Sequence, residues 1–478
     1  MTQTTPAPAP NTTGAQTPHT ASRTAPHRGR HTAANQGPAA PDPNSQMAQE
    51  AANFLSALIR IDTTNTGEES TTKGEREAAE YVIGQLQDIG LAPQLYESGP
   101  RRANVAVRIE GQDSAKAPLV VHQHLDVVPA LGNWQHPPFG GDQVDGVIWG
   151  RGAIDMKDQS AMVLAVLREL RRRGAKPARD LIVVFFADEE NGGVYGSQWM
   201  AANHAEVFHG AKEAISELGG FSAWIAGHKV YLVETAEKAI GWMRLTASGQ
   251  GGHGSFVNNN NAVAKLVAAL ARLDQHHFPA HLTKTMRDFL TQLSHVMGSP
   301  IHVSDPEAVK SMLERAGDTG AVVAAALGTH LNLTSLEAGG KANVVPPTAS
   351  ATVDMRPMPD QRDAAWHMVE RLVGKDIKIE RLNDHIGMEA PDDGPIYHAM
   401  GASLARLDPG VPVLPFMMPG GTDNKSLAPL GIAGYGFTPL NLPQNFEFWR
   451  MFHGVDERVP VSALAFGVEA LLDFLTSY

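Results

Sequence analysis

From Met47 onward the chain carries apolar residues at helical spacing. Ala51, Phe54, Leu55, Leu58 and Ile59 form one such stripe, and Ala78, Ala79, Val82, Ile83 and Leu86 form another. Beyond them, short apolar runs alternate with amphipathic stretches. Asn104–Ile109, Leu119–Val121 and Leu181–Ala187 read as strands, Ala161–Arg171 and Gly196–Ala202 as helices, and Ala214–Glu217 and Lys229–Glu234 as further strands. That order predicts an α/β sheet flanked by helices, whose ligands gather at the carboxyl ends of the strands.

Residues 239–382 follow a different rhythm. Strand (Gly241–Ser248), helix (Ala262–Leu273), a polar helical stretch, strand (His330–Leu336), strand (Ala349–Met355), helix (Arg362–Leu372) and strand (Ile377–Arg381) follow one another. Apart from the polar stretch, this is a β-α-β-β-α-β ferredoxin-like unit. The first rhythm resumes after Pro391 and ends in a helix over Val461–Leu475. The predicted organisation is one α/β domain, residues 46–238 and 389–478, interrupted by a smaller inserted domain, residues 239–388. Residues 1–45 contain no Val, Ile, Leu, Phe, Trp or Tyr, so they cannot offset ordering entropy by burial and are expected to be a disordered tail. That tail also lacks the apolar segment of a secretory signal, which favours a cytoplasmic protein.

Composition narrows the chemistry. The 478 residues hold 39 basic and 51 acidic side chains, a net charge of −12, which argues against a nucleic-acid partner. No run reaches the roughly 18 apolar residues of a membrane span, so no membrane partner is expected. With no cysteine, any metal must be held by the 20 histidines and the acids.

Five places concentrate such groups, each expected to end a predicted strand or sit just beyond it. In Leu119-Val-Val-His-Gln-His-Leu-Asp126, alternation puts His122, His124 and Asp126 on one face, and Asp126 could orient the second nitrogen of His124. In Trp149-Gly-Arg-Gly-Ala-Ile-Asp155, glycines permit tight turns around an acid able to bridge two metals. In Phe186-Ala-Asp-Glu-Glu190, adjacent carboxylates divide metal binding from proton handling. Glu217 in Ser-Glu-Leu-Gly-Gly and His453 in Phe-His-Gly-Val-Asp complete the set. Each alone has a bland reading, as a core histidine, a turn aspartate or a solvated acidic loop. Together His124, Asp155, Glu190, Glu217 and His453 offer two imidazoles and three carboxylates, a donor set for two divalent metal ions: zinc, with cobalt or manganese as alternatives. Three negative charges against two dications leave one positive charge, which a shared hydroxide neutralises, as in a co-catalytic pair about 3.5–4 Å apart.

These positions, in this order, resemble the zinc-dependent metallopeptidase family of aminoacylase, glutamate carboxypeptidase and succinyl-diaminopimelate desuccinylase. The resemblance spans roughly residues 47–478. It implies a mixed-sheet catalytic α/β domain with an inserted ferredoxin-like lid that forms a homodimer. It further implies that Asp155 bridges the two ions, with His124 and Glu217 completing one site and Glu190 and His453 the other. Glu189 would be the general base and Asp126 the partner of His124. A cis peptide is implied at Asp155–Met156. In the lid, His253 within Gly-Gly-His-Gly would reach the other subunit's site as an oxyanion donor, while Asn343 and Arg356 would contact substrate. Gly421 and Thr422 in Pro-Gly-Gly-Thr-Asp would line the substrate-side loop. The implied reaction is hydrolysis of the amide of a small N-acyl amino acid, or of the bond to a peptide's C-terminal residue, by a bridging hydroxide. Ser216 stands where many relatives carry an acid or amide, and the stretch from His276 to Thr329 looks like an enlarged lid. Two rival readings are a barrel-type amidohydrolase using His122 and His124 as paired ligands, and a catalytically silent dimeric binding protein of the same fold.

Overall fold

The computed structural model describes residues 40–478, so nearly all of the expected N-terminal tail lies outside the described residues. The first helix, Gln46–Arg60, begins where Ser45 Oγ accepts a hydrogen bond from the amide of Ala48 (3.3 Å), a side-chain cap of an otherwise unpaired helix donor.

A ten-stranded mixed sheet carries the larger part of the chain. Its edge is antiparallel, Gln94–Gly99 beside Arg102–Ile109 beside Leu181–Phe186. At the centre Leu181–Phe186, Leu119–His124, Glu213–Ser216 and Ala433–Gly436 run parallel. The long strand His228–Glu237 follows, with Val413–Met418 parallel to it and Phe221–Ile225 antiparallel. The central strands are buried on both faces, which is why they read as unbroken apolar runs. Leu119, Val121, Leu181, Val183 and Phe185 enter the core shared with helices Gln46–Arg60, Lys157–Arg173 and Val461–Ser477, whereas Val120, Ile182, Val184 and Phe186 enter a second core on the other side.

The inserted unit is a separate four-stranded antiparallel sheet in the order His330–Ala338, Thr348–Arg356, Ile240–Ser248, Ile377–His385. Helices Ala262–Asp274 and Arg362–Val373 cover one face and share its core. This is the expected ferredoxin-like arrangement. The polar helical stretch behaves otherwise. Helix Lys284–Val296 buries Met286, Phe289, Leu290 and Leu293, and helices Pro306–Arg315 and Gly317–Ala325 bury Val309, Met312, Leu313 and Val323, all in the core of the large sheet. Read from sequence as lid enlargement, these helices instead pack on the main body: Lys284–Val296 lies beside the strand Val413–Met418, Gly317–Ala325 beside Phe221–Ile225, and Pro306–Arg315 against Gly317–Ala325. An eight-fold barrel is absent among the described residues, which removes the amidohydrolase reading. None of the described helices is long and apolar enough to cross a membrane.

Candidate metal centre

Three parallel strands end side by side, with His124 paired to Phe186 across the ladder. His124 closes the first strand, Asp188, Glu189 and Glu190 follow the second, and Glu217 follows the third. Asp155 comes from the loop before helix Lys157–Arg173, and His453 from the loop before the last helix. The Asp155–Met156 peptide is cis. Asp188, Leu218 and His453 hold φ values of 64°, 61° and 56°, left-handed conformations unusual for side-chain-bearing residues. Such strain, of order 1–3 kcal/mol each, persists only where surrounding contacts over-determine it. After Glu217, the backbone at Gly219 runs so close to Gly436 that a Cβ would lie 1.8 Å from its carbonyl oxygen, which explains the glycine there.

These loops form two groups sharing Asp155. His124, Asp155 and Glu217 each offer an atom within 4.8 Å of one another, and so do Asp155, Glu190 and His453. His124 Nε2 lies 3.3 Å from Asp155 Oδ1 and 3.6 Å from Glu217 Oε2. His453 Nε2 lies 3.3 Å from Asp155 Oδ2 and 3.1 Å from Glu190 Oε2. One oxygen of Asp155 thus faces each imidazole. Burial, then Asp155, pushes the Glu190 carboxyl up to about 8. Hydrogen bonds to Asp155 and Glu190 raise His453 to about 11. Burial alone would lower His124, but Glu217, Asp126 and Asp155 carry it well above its ordinary value.

Buried polar contacts aim the donors. His124 Nδ1 is 3.0 Å from the Asp126 carbonyl and 3.5 Å from its carboxylate, which leaves Nε2 as the ring nitrogen facing the acids. The Asp126 carboxylate accepts instead from the amides of Glu189 (3.0 Å) and Glu190 (3.1 Å) and from Asn65 Nδ2 (2.9 Å), so it fixes the acidic turn as well as the histidine. Asn65 also bonds Asp188, and Arg102 is buried between Asp188 and Glu75. Truncating one member of such a pair costs about 3–5 kcal/mol because the remaining charge stays buried. Buried Glu457 accepts from the amides of Ile154 (2.8 Å) and Asp155 (3.2 Å) and binds Arg151, tying the Asp155 loop to the His453 loop.

Sequence reasoning missed Lys425. Its buried ammonium lies 3.0 Å from Glu189 Oε1. Burial would lower its pKa, but Glu189, Asp423 and Glu237 raise it, so it stays charged. A lysine after Gly-Gly-Thr-Asp-Asn is the only local signal, and nothing in the sequence places it beside Glu189. A cleft of about 550 Å³ opens over the clusters, lined in part by Glu189, Lys425, Arg356 and Gly421. Arg356 donates to both Asp354 oxygens (2.8 and 3.1 Å), so that acid shares its charge. Thr422 does not line the cleft; its amide donates to Glu237 (2.8 Å) and its hydroxyl to the same carboxylate. His253 and Asn343 also lie elsewhere, exposed on a two-stranded ribbon past the far end of strand Ile240–Ser248. At about 3.3 Å per residue that is roughly 20 Å from the cleft's Trp242. His122 faces Asn424 Oδ1 (2.8 Å) and Phe186, outside both clusters.

The donor set suits two divalent cations. His124 Nε2 and Glu190 Oε1 are buried without hydrogen-bond partners, and three carboxylates crowd around two imidazoles. Groups packed this way are stabilised by cations rather than by one another.

The chain is similar to several known proteins. The N-fatty-acyl-amino acid synthase/hydrolase PM20D1 of Xenopus tropicalis is 29% identical over 452 residues, covering 89% of this chain and 84% of its own length. Human aminoacylase-1 is 26% identical over 402 residues, 82% of this chain and 87% of its own. The structure of the M20 family metallo-carboxypeptidase Sso-CP2 from Sulfolobus solfataricus superposes with a TM-score of 0.68 at 17% identity, covering 89% and 98% of the two chains. The family model for peptidase family M20/M25/M40 matches residues 120–477. This chain belongs to the M20/M25/M40 peptidase family.

Proposed function

We propose that the protein hydrolyses the amide bond of an N-acyl amino acid or the bond to the C-terminal residue of a small peptide. The observation that carries this is Asp155, one oxygen toward each imidazole, with Glu189 alongside. His124 and Glu217 would hold one ion with Asp155, and Glu190 and His453 the other, zinc being the proposed metal. Two cations held there would supply Lewis-acid polarisation of a scissile carbonyl and a lowered pKa for a water molecule. Glu189 takes that proton and returns it to the leaving amine, held in position by Lys425. Asp126 orients His124, Arg356 anchors a substrate carboxylate, and the Gly421 backbone edges the cleft.

In this reading residues 46–238 and 389–478, joined by the helices from Lys284 to Ala325, form the catalytic domain, and the rest of 239–388 forms the lid of a cytoplasmic homodimer. The lid's outer strand His330–Ala338 supports that, being unpaired on one side and carrying Leu333 and Leu336 at 41% and 59% exposure. His253 of the partner subunit, with Asn343 beside it, would then complete the site as an oxyanion donor.

Metal-loaded protein is expected to cleave at least one class in a panel of dipeptides and N-acetyl, N-succinyl and N-carbamoyl amino acids. Zero turnover across it would favour the silent binding protein. Lys425→Met should lower kcat at least about tenfold with KM less affected and metal content unchanged, because Glu189 loses its buried counter-charge, and Lys425→Arg should recover part. Equal effects on KM and kcat would count against the positioning role. His253→Ala and Glu189→Gln, each inactive alone, should regain partial activity when mixed as heterodimers. No recovery would remove the trans histidine.

A further inference from the structure

Glu237 is a fully buried acid that belongs to neither cluster of donors. It closes the strand His228–Glu237, where the chain leaves the large sheet for the inserted one. The chain returns beside it, with Met388 paired to Glu237, and a Cβ on Gly387 would lie 2.8 Å from the Glu237 carbonyl oxygen. The next residue, Lys238, donates its amide to the carbonyls of Met418 (3.2 Å) and Gly420 (3.1 Å). The backbone at Glu237 is thus clamped between the first and last crossings of the two sheets and the loop that leads to Lys425.

Its side chain engages the same loop. Oε2 accepts from the Thr422 amide (2.8 Å), and Oε1 accepts from the Thr422 hydroxyl and from Asn424 Nδ2 (3.3 Å). Thr422 Oγ1 in turn accepts from the Asn424 amide (3.2 Å), and Asn424 Oδ1 meets His122 Nε2 (2.8 Å). Lys425 follows in the short helix Asn424–Leu427, its amide bonded to the Thr422 carbonyl (3.3 Å) and its ammonium 3.0 Å from Glu189. A lysine stem is flexible, so the place of its charge depends on how firmly its backbone is held. Burial pushes the Glu237 carboxyl up, and Thr422, Lys425 and Asn424 oppose that. Glutamine at this position would offer one acceptor oxygen where three donors converge, so at least one bond to the turn would be lost.

We propose that Glu237 is a positioning residue for the general base: through Thr422 and Asn424 it fixes the turn that presents Lys425 to Glu189. This rests on the hydrolase reading, in which Glu189 takes the proton, and adds the group that sets its geometry from the root of the inserted unit.

The test is a double-mutant cycle on metal-loaded protein, read on a substrate cleaved in the panel. Glu237→Gln should lower kcat at least about tenfold, with KM and metal content unchanged. In a Lys425→Met background the same change should cost less than about twofold, because the route through the lysine is already cut. Thr422→Val removes one donor while keeping the shape of the side chain. It should give a smaller loss with the same dependence on Lys425, and it carries the test if Glu237→Gln does not fold. A parent-like kcat in Glu237→Gln, or losses that multiply in the double variant, overturns the proposal, since a residue acting independently of Lys425 behaves that way. A second readout needs no turnover. In protein carrying a nitrogen isotope label at lysine Nζ, the ammonium of Lys425, assigned by its loss in Lys425→Met, should give an exchange-protected resonance that disappears in Glu237→Gln. That disappearance, in a parent protein that cleaves nothing, supports the tether and refutes the hydrolase. Cleavage by the parent, with resonance and kcat unaltered in Glu237→Gln, does the reverse.

Discussion

Replacing Asp155 by asparagine is expected to remove metal from both sites at once. Its two oxygens face different imidazoles, so no other single side chain belongs to both clusters. Loss of groups that merely support a ligand costs about 10–100-fold in metal affinity, and loss of a ligand common to two ions should exceed that. Metal analysis after dialysis should find less than one ion per chain, with hydrolysis reduced at least about a thousandfold. The comparison that isolates the shared role is His453→Ala, which touches only the second cluster and should retain one ion. If the Asp155→Asn protein kept two tightly bound ions, the bridging assignment would be wrong.

Glu189→Gln should produce the opposite pairing of results, with metal retained and turnover lost. Glu189 adjoins a cluster without belonging to either, and its carboxylate is engaged by Lys425. An amide keeps the shape of the side chain but cannot accept the proton, and general-base catalysis is worth about 10²–10⁴-fold. A fall of about a thousandfold in kcat with unchanged metal stoichiometry is the expected outcome. Activity within tenfold of the parent protein would assign proton transfer to another group. The Asp126 carboxylate makes this separation clean. It binds the amides of both Glu189 and Glu190, so the turn keeps its form when one side chain changes.

Much of this was legible along the chain because the governing patterns are local. Strand alternation and helical spacing recur over a few residues, and they located the central strands and the four strands and two helices of the inserted unit. Acids and histidines at the ends of apolar runs marked the loops, since parallel strands present their carboxyl ends together. The edge strand Gln94–Gly99 escaped notice because it is only half-buried and carries no clear alternation. The helices from Lys284 to Ala325 were recognised as helical but assigned to the wrong neighbour. An amphipathic stripe says that a face will be buried, not against what.

By itself, then, the sequence determined the fold class, the inserted unit and the identity of the five clustered donors. Tertiary structure alone decided which oxygen of Asp155 meets which imidazole, and that Lys425 reaches Glu189 from 236 residues away. It also decided that Thr422 turns its donors to Glu237, and that His253 and Asn343 stand apart from the cleft of their own chain. The physical reason is range: propensity and periodicity act between chain neighbours, whereas charge pairing and the shape of a cleft depend on which distant surfaces the topology brings together.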